Sequence, residues 1–367
     1  MPPVPVRVLI LTASIGEGHD RPARWLAEQL RLERPDATVV IEDSLAAMGR
    51  FVSTISETAP RVVFHRFRWL WDLGFWVFTG SAPARALFQR GLARLGAPGL
   101  LRLIDEVRPD VIVSVYPQAT EVLARLRQTG RIAVPVVAGI TDVAALDYWA
   151  SPGADVHLVT QPEAIAEVRR IAGSDSEVHT VTGFTDPAFY APRSRAEARA
   201  ALGVSEDATL VVVSGGGWGV GDVQGAIDEA LATPGTCVVC LTGRNEELQA
   251  ALEARFGEEK RVRIEGFTEV MSDWLAAGDV LVHSTGGLTV LEALLRGCPV
   301  VSYGWGRGHI RKHNEAFLRF GLAEVADTRA ELRSAIERAI ARGRVETAGF
   351  QDLRSAASFV LAAGDGH

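Results

Sequence analysis

The sequence predicts an α/β protein built from two doubly wound parallel-sheet domains. Three observations carry this. Short, nearly continuous apolar runs alternate with amphipathic helical patterns along the chain. The runs lack the in–out alternation of half-exposed strands, so they belong to parallel sheets covered by helices on both faces. The series pauses near residue 183 and restarts after residue 200, and 367 residues suit two domains of ~150 better than one.

The elements follow in order. VRVLILT (6–12) is the first strand, and the helix after it puts Ala23, Leu26 and Leu30 on one face. TVVIED (38–43), DVIVSV (110–115), VPVVAGI (134–140) and DVHLVT (155–160) continue the series. GFTDPAFYAPRSRAEARAALG (183–203) carries two prolines and then a helical pattern opening at Ser194, which marks a boundary. TLVVVSGG, TCVVCLTG, DVLVHST and CPVVSYG form the second series, and the remaining tail reads as two helices. The expected division is 1–185, 186–345 and a C-terminal helical segment, 346–367, packing back on the first domain.

Composition narrows the function. Hydrophobic residues at 47% and charged residues at 23% exclude extensive disorder. A net charge of −7 argues against a nucleic-acid partner, which needs a basic field. Only Lys260 and Lys312 are lysines among 38 basic residues, an arginine bias that reads as gene base composition rather than chemistry. Three cysteines, Cys237, Cys240 and Cys298, make no disulfide framework and suit a reducing compartment. Cys237 and Cys240 fall in one apolar strand at i and i+3, hence on opposite faces, so no metal is expected there. The apolar run VLIL near the start is a strand and not a leader, and no run approaches the ~20 apolar residues of a spanning helix. The expected location is cytoplasmic, with any membrane contact peripheral.

Parallel sheets bind ligands at the carboxyl ends of their strands. Three motifs fall there, and two such edges facing each other make a small-molecule cleft. Thr12-Ala13-Ser14-Ile15-Gly16-Glu17-Gly18-His19 follows the first strand and opens a helix, so Gly16 allows close approach and His19 is placed to accept a proton. The isolated His reads equally as a capping group. Ser214-Gly215-Gly216-Gly217-Trp218-Gly219 follows the first strand of the second half; four glycines in five residues mean backbone approach, or else a plain connector. His283-Ser284-Thr285-Gly286-Gly287-Leu288-Thr289-Val290-Leu291-Glu292 ends a strand and starts a helix whose amides suit a diphosphate, with Glu292 one turn past Thr289 and in reach of a ribose.

TASIGEGH, VIVSVYP, TDVAALDYW, GGGWGVG, TGRNEEL, GFTEVMSDWLAAGDVLV and STGGLTVLEALLRGCPVV stand in the order of one family. The chain resembles the B-type glycosyltransferases of the monogalactosyl-diacylglycerol synthase and processive diacylglycerol glucosyltransferase group, relatives of the GlcNAc transferase that completes the peptidoglycan lipid intermediate. The resemblance implies two facing Rossmann-like domains, the first for the acceptor and the second for a nucleotide sugar, usually a UDP-sugar. It implies that Gly286, Gly287 and Thr289 hold the diphosphate, that Glu292 holds the ribose, and that Gly243, Arg244, Asn245 and Phe267 line the nucleotide pocket with Gly216 and Gly217. Gly16 and His19 then face the reacting centre, and Asp142 and Trp149 lie on the acceptor side.

Two departures stand out. The family pattern T-D-x-x-x-H-x-x-W appears as Thr141-Asp142-Val143-Ala144-Ala145-Leu146-Asp147-Tyr148-Trp149, with Leu146 in place of the His and Asp147 as a candidate substitute. G-Q-E-x-x-N is replaced by Gly308-His309-Ile310-Arg311-Lys312-His313-Asn314, which leaves His309, Arg311 and Asn314 as candidates to contact the sugar.

Residues 64–78, FHRFRWLWDLGFWVF, hold seven Phe or Trp with Arg66 and Arg68 at one end. Such a run suits an anionic membrane surface, through Trp69, Trp71 and Trp76, although aromatics are more often core. The expected reaction is an inverting hexose transfer from a nucleotide sugar to a lipid hydroxyl such as that of diacylglycerol. His19 or Asp142 serves as base. No D-x-D sequence occurs, so no metal or other cofactor is expected. A soluble natural-product acceptor, or a nucleotide-sugar sensor without turnover, are the alternatives at this point.

Overall fold

The computed structural model describes residues 5–14, 17–54, 82–143, 146–284, 287–304, 308–345, 347, 350 and 352–366. The chain forms two compact units, Met1–Asp186 with Leu353–His367, and Pro187–Asp352.

The first unit holds β1 (Arg7–Thr12), β2 (Thr38–Asp43), β3 (Val111–Ser114), β4 (Val136–Ile140), β5 (Val156–Val159) and β6 (Glu177–Thr180) in the order β2-β1-β3-β4-β5-β6, all parallel. Its helices are α1 (Glu17–Glu33), α2 (Ser44–Met48), α3 (Arg50–Ser53), α4 (Ala82–Val107), α5 (Pro117–Gln128), α6 (Leu146–Trp149) and α7 (Ile165–Ala172). Both sheet faces are covered, which is why residues 8–11 of β1 are all apolar. Val8 and Ile10 pack with Ala23, Leu26 and Leu30, while Leu9 and Leu11 pack with Leu100, Val122 and Leu123.

The second unit holds β7 (Thr209–Ser214), β8 (Thr236–Leu241), β9 (Val262–Glu265), β10 (Val280–His283), β11 (Val300–Tyr303) and β12 (Glu324–Ala326) in the order β12-β11-β10-β7-β8-β9, again parallel. Its helices are α8 (Arg195–Leu202), α9 (Val223–Ala232), α10 (Glu246–Phe256), α11 (Met271–Ala277), α12 (Leu288–Leu295), α13 (Gly308–Phe320) and α14 (Arg329–Arg342). Ser194 opens α8 through a capping box with Glu197, and Thr328 does the same for α14 with Glu331. The last helix, α15 (Ala356–Asp365), is part of the first unit: Phe359, Val360 and Leu361 join the core made by Val8, Ile10 and Val111.

Three strands escape the sequence reading: β6, β9 and β12. All three are edge strands, short and half-exposed, so they carry polar residues where central strands carry Val and Leu. Cys240 is buried among Val211, Val238 and Val280, whereas Cys237 on the other face is partly exposed, consistent with strand alternation.

Each strand order reverses direction once, between β1 and β3 in the first unit and between β7 and β10 in the second. Ligand crevices of doubly wound sheets open outside the carboxyl ends of the strands at such switch points. Among the described residues no helix is long and apolar enough to cross a membrane. Residues 64–78, with Trp69, Trp71 and Trp76, lie outside the described residues.

Candidate active site

In the first unit the switch point is occupied by His19. It lies in the first turn of α1, and its Nδ1 is 3.0 Å from the carbonyl oxygen of Val115, the residue directly after β3. A carbonyl only accepts, so Nδ1–H donates and the ring is fixed in the tautomer that leaves Nε2 as an acceptor. Tyr116 meets the ring edge-on at 5.1 Å, and Trp149 lies tilted against it at 5.8 Å. Burial pushes the imidazole below its ordinary pKa, while the Val115 carbonyl and the charges of Asp142 and Asp20 pull it partly back. Asp20 is itself held by the Thr12 hydroxyl at 2.8 Å. Asp142 follows β4, and its Oδ1 accepts from the Val143 amide at 2.9 Å. This edge therefore carries a neutral, oriented imidazole flanked by carboxylates, which is the equipment of a general base.

Trp149 is buried and packs with Ile140 and Leu146, so it walls the His19 ring. Leu146 is core, sharing the inner side of the four-residue α6 with Trp149. Asp147, the candidate substitute for the absent His, faces Arg170 at 3.9 Å and lines a polar pocket with Glu121 and Arg125. Gly16 lies outside the described residues.

In the second unit two glycine turns leave the switch-point strands. After β7, Gly216 and Gly219 take positive φ (72° and 62°), and a Cβ on Gly215 would sit 2.6 Å from the Val220 nitrogen. The loop after β8 is pressed onto this turn. A Cβ on Gly243 would lie 2.5 Å from the Gly217 oxygen, and the Arg244 amide donates to that same oxygen at 2.9 Å. The Arg244 guanidinium stacks 4.2 Å over the half-exposed Phe267 ring, a flat cationic platform beside the glycines. The Asn245 side chain caps α10 by accepting from Leu248, so it shapes the loop.

After β10, Gly287 (φ 73°) precedes α12, where Thr289 is partly exposed and Glu292 is buried. Gly286 lies outside the described residues, as do the side chains of Trp218 and His309. Asn314 is buried on α13 and accepts from the Ser302 hydroxyl at 2.7 Å, while its Nδ2 finds no partner among the described residues. Arg311 is exposed and pairs with Glu315 at 3.1 Å on the helix surface. The structure thus gathers Gly216, Gly217, Gly243, Arg244 and Phe267 at one loop cluster.

Behind the turns lies a polar layer that the sequence reading missed. Asp222, the N-cap of α9, accepts from Tyr303 Oη at 2.8 Å, Arg329 Nε at 2.9 Å and the Gly225 amide at 3.0 Å. Burial opposes its charge, yet these donors hold the carboxyl below its usual pKa. Burial and the Asp222 carboxylate push the Tyr303 hydroxyl up to about 12. His283 and Ser284 close the layer. The available signal was two polar residues ending an otherwise apolar strand beside a glycine run.

Residues 19–185 match the family model of monogalactosyldiacylglycerol (MGDG) synthase, and residues 219–353 match that of glycosyl transferases group 1. The chain is a B-type glycosyltransferase. It is 24% identical over 330 residues to a processive diacylglycerol beta-glucosyltransferase of Staphylococcus aureus (strain Newman), covering 89% of this chain and 82% of that protein. The fold is shared with the glycotransferase of kitacinnamycin (TM-score 0.59, 16% identity, 99% of this chain and 98% of that one). Os79 from O. sativa shares it too (TM-score 0.58, 16% identity, 91% and 93%).

Proposed function

We propose that the enzyme transfers a hexose from a UDP-sugar to the hydroxyl of a diacylglycerol-type lipid, with inversion at the anomeric carbon. The observation that carries this reading is His19, a neutral imidazole anchored through Nδ1 on the Val115 carbonyl with Nε2 as the remaining acceptor. The first unit takes the acceptor and the second takes the nucleotide sugar, with its diphosphate on the glycine turns and its ribose at Glu292. Phe267 and Arg244 flank the nucleotide.

The acceptor oxygen attacks the anomeric carbon and forms the new C–O bond as the bond to the diphosphate breaks. His19 Nε2 takes the hydroxyl proton, and Asp142 stabilises the imidazolium that results. The departing diphosphate keeps the bonding electron pair and is stabilised by the amides of the turns and the start of α12. Glycines and helix ends do this without a metal bridge. Support for a lipid acceptor comes from the name of the Staphylococcus relative and from the aromatic run at 64–78, which suits docking from the cytoplasmic side of a membrane. Incubation with radiolabelled UDP-glucose or UDP-galactose and vesicles containing diacylglycerol tests the reading. Label is expected in the extracted lipid. Release of free hexose alone, at equal rates with and without diacylglycerol, would contradict it.

A further inference from the structure

The two glycine turns of the second unit are laced together by consecutive side chains at the end of β10. His283 is buried, and its Nδ1 lies 2.9 Å from the carbonyl oxygen of Ser214, the last residue of β7 and its partner in register. The carbonyl accepts, so Nδ1–H donates. Ser284 donates its hydroxyl to the carbonyl of Val220, at the far side of the same turn. Gly221 follows with φ 107°, and a Cβ there would lie 2.7 Å from the Ser284 Cβ, so the two turns touch. Ser214 also accepts from the Gly216 amide at 3.2 Å through its own hydroxyl.

We infer that His283 and Ser284 are positioning residues for the donor: they join the turns after β7 and β10 into one cradle without touching the nucleotide sugar. This rests on the reading that the second unit takes the donor. Loops on either side of a switch point diverge to opposite faces of the sheet, so nothing in the sheet ladder itself holds them together. Glycines at 216, 219, 221 and 287 have the largest conformational freedom to lose. The two cross-links remove that freedom when the chain folds, so the diphosphate meets amides already aimed. The hydroxyl of Ser284 is engaged by Val220, which leaves phosphate contact to main-chain amides. The first unit uses the same device, with His19 donating from its Nδ1 to the carbonyl that follows the neighbouring strand.

The test compares the full-length wild type with His283→Leu, His283→Asn and Ser284→Ala. UDP affinity is read by calorimetry, and steady-state kinetics are read with the donor varied. An asparagine amide can place an N–H near the position of the imidazole Nδ1–H. His283→Leu is expected to weaken UDP and raise donor KM roughly tenfold, the scale of one lost buried hydrogen bond, with kcat changed less than about twofold. His283→Asn should recover most of the affinity, and Ser284→Ala should weaken UDP about three- to tenfold. A role confined to folding would lower the melting temperature without a KM effect in the folded fraction. Wild-type UDP affinity in a folded His283→Leu, or in Ser284→Ala if the leucine variant does not fold, overturns the inference. Failure of the wild type itself to bind UDP would remove the donor reading beneath it.

Discussion

Replacing His19 with alanine is expected to lower kcat by about 10²–10⁴-fold, the range of a positioned general base, while UDP affinity stays within a few-fold. In the proposed reading the donor is held by the second unit, without His19. The pH profile adds an independent check. The base works as neutral imidazole, and burial lowers the pKa of His19. Activity should therefore persist below pH ~6.5, the ordinary histidine value, before the acid limb begins. Asp142 favours the imidazolium by its charge, so Asp142→Asn should move that limb to still lower pH and reduce kcat. The linkage has the matching sign: the unfolded chain binds a proton that folded His19 refuses. Stability is thus full above the unfolded value and is lost as pH falls from ~6.5 toward the folded value. Near-wild-type kcat in His19→Ala, with activity abolished in Asp142→Ala, would move the base to Asp142.

Replacing Arg199 with methionine is expected to destabilise the second unit by ~3–5 kcal/mol. Arg199 is fully buried on α8, and every contact of its guanidinium is satisfied inside the protein. Nε donates to the Ala277 carbonyl at 3.0 Å, Nη1 to the carbonyls of Ser205, Glu206 and Ala208 at 2.7–2.8 Å, and Nη2 to Asp279 at 2.7 Å. Methionine fills similar volume but removes all of these donors at once, and Asp279 keeps only Arg195 and the Leu210 amide among the described residues. Asp279 precedes β10 and Leu210 is the second residue of β7, so the damage falls at the amino end of the strands, opposite the glycine turns. A loss of ~6–20 °C in the melting temperature of this unit should follow, with UDP affinity of the folded protein unchanged. A shift under about 2 °C would show that solvent replaces these bonds freely.

The fold was legible because both sheets are covered on both faces, so their central strands could only be apolar, and Ser194 announced α8 by its cap. The edges β6, β9 and β12 escaped because one side of each meets no neighbour and tolerates polar residues. For the site, His19 was legible from its place after a strand and a glycine turn. Its working tautomer was not, because the Val115 carbonyl that sets it is a main-chain group 96 residues away. His283 was hidden for the same reason, since its partner is the Ser214 carbonyl. Asn245 and Asp147 show that residue type alone does not give a side chain's partner. Their types suit ligand binding, but local geometry engages one in capping α10 and turns the other toward Arg170.

The proposed reaction is a single displacement with a base on the first unit and the leaving diphosphate on the second. The most direct test is the anomeric configuration of the lipid product made from an α-linked UDP-hexose, read from the proton coupling at the anomeric carbon. A single displacement with His19 as base predicts a β-linked glycolipid, with the large axial–axial coupling. An α-linked product would contradict it, because retention requires a different course at the anomeric carbon.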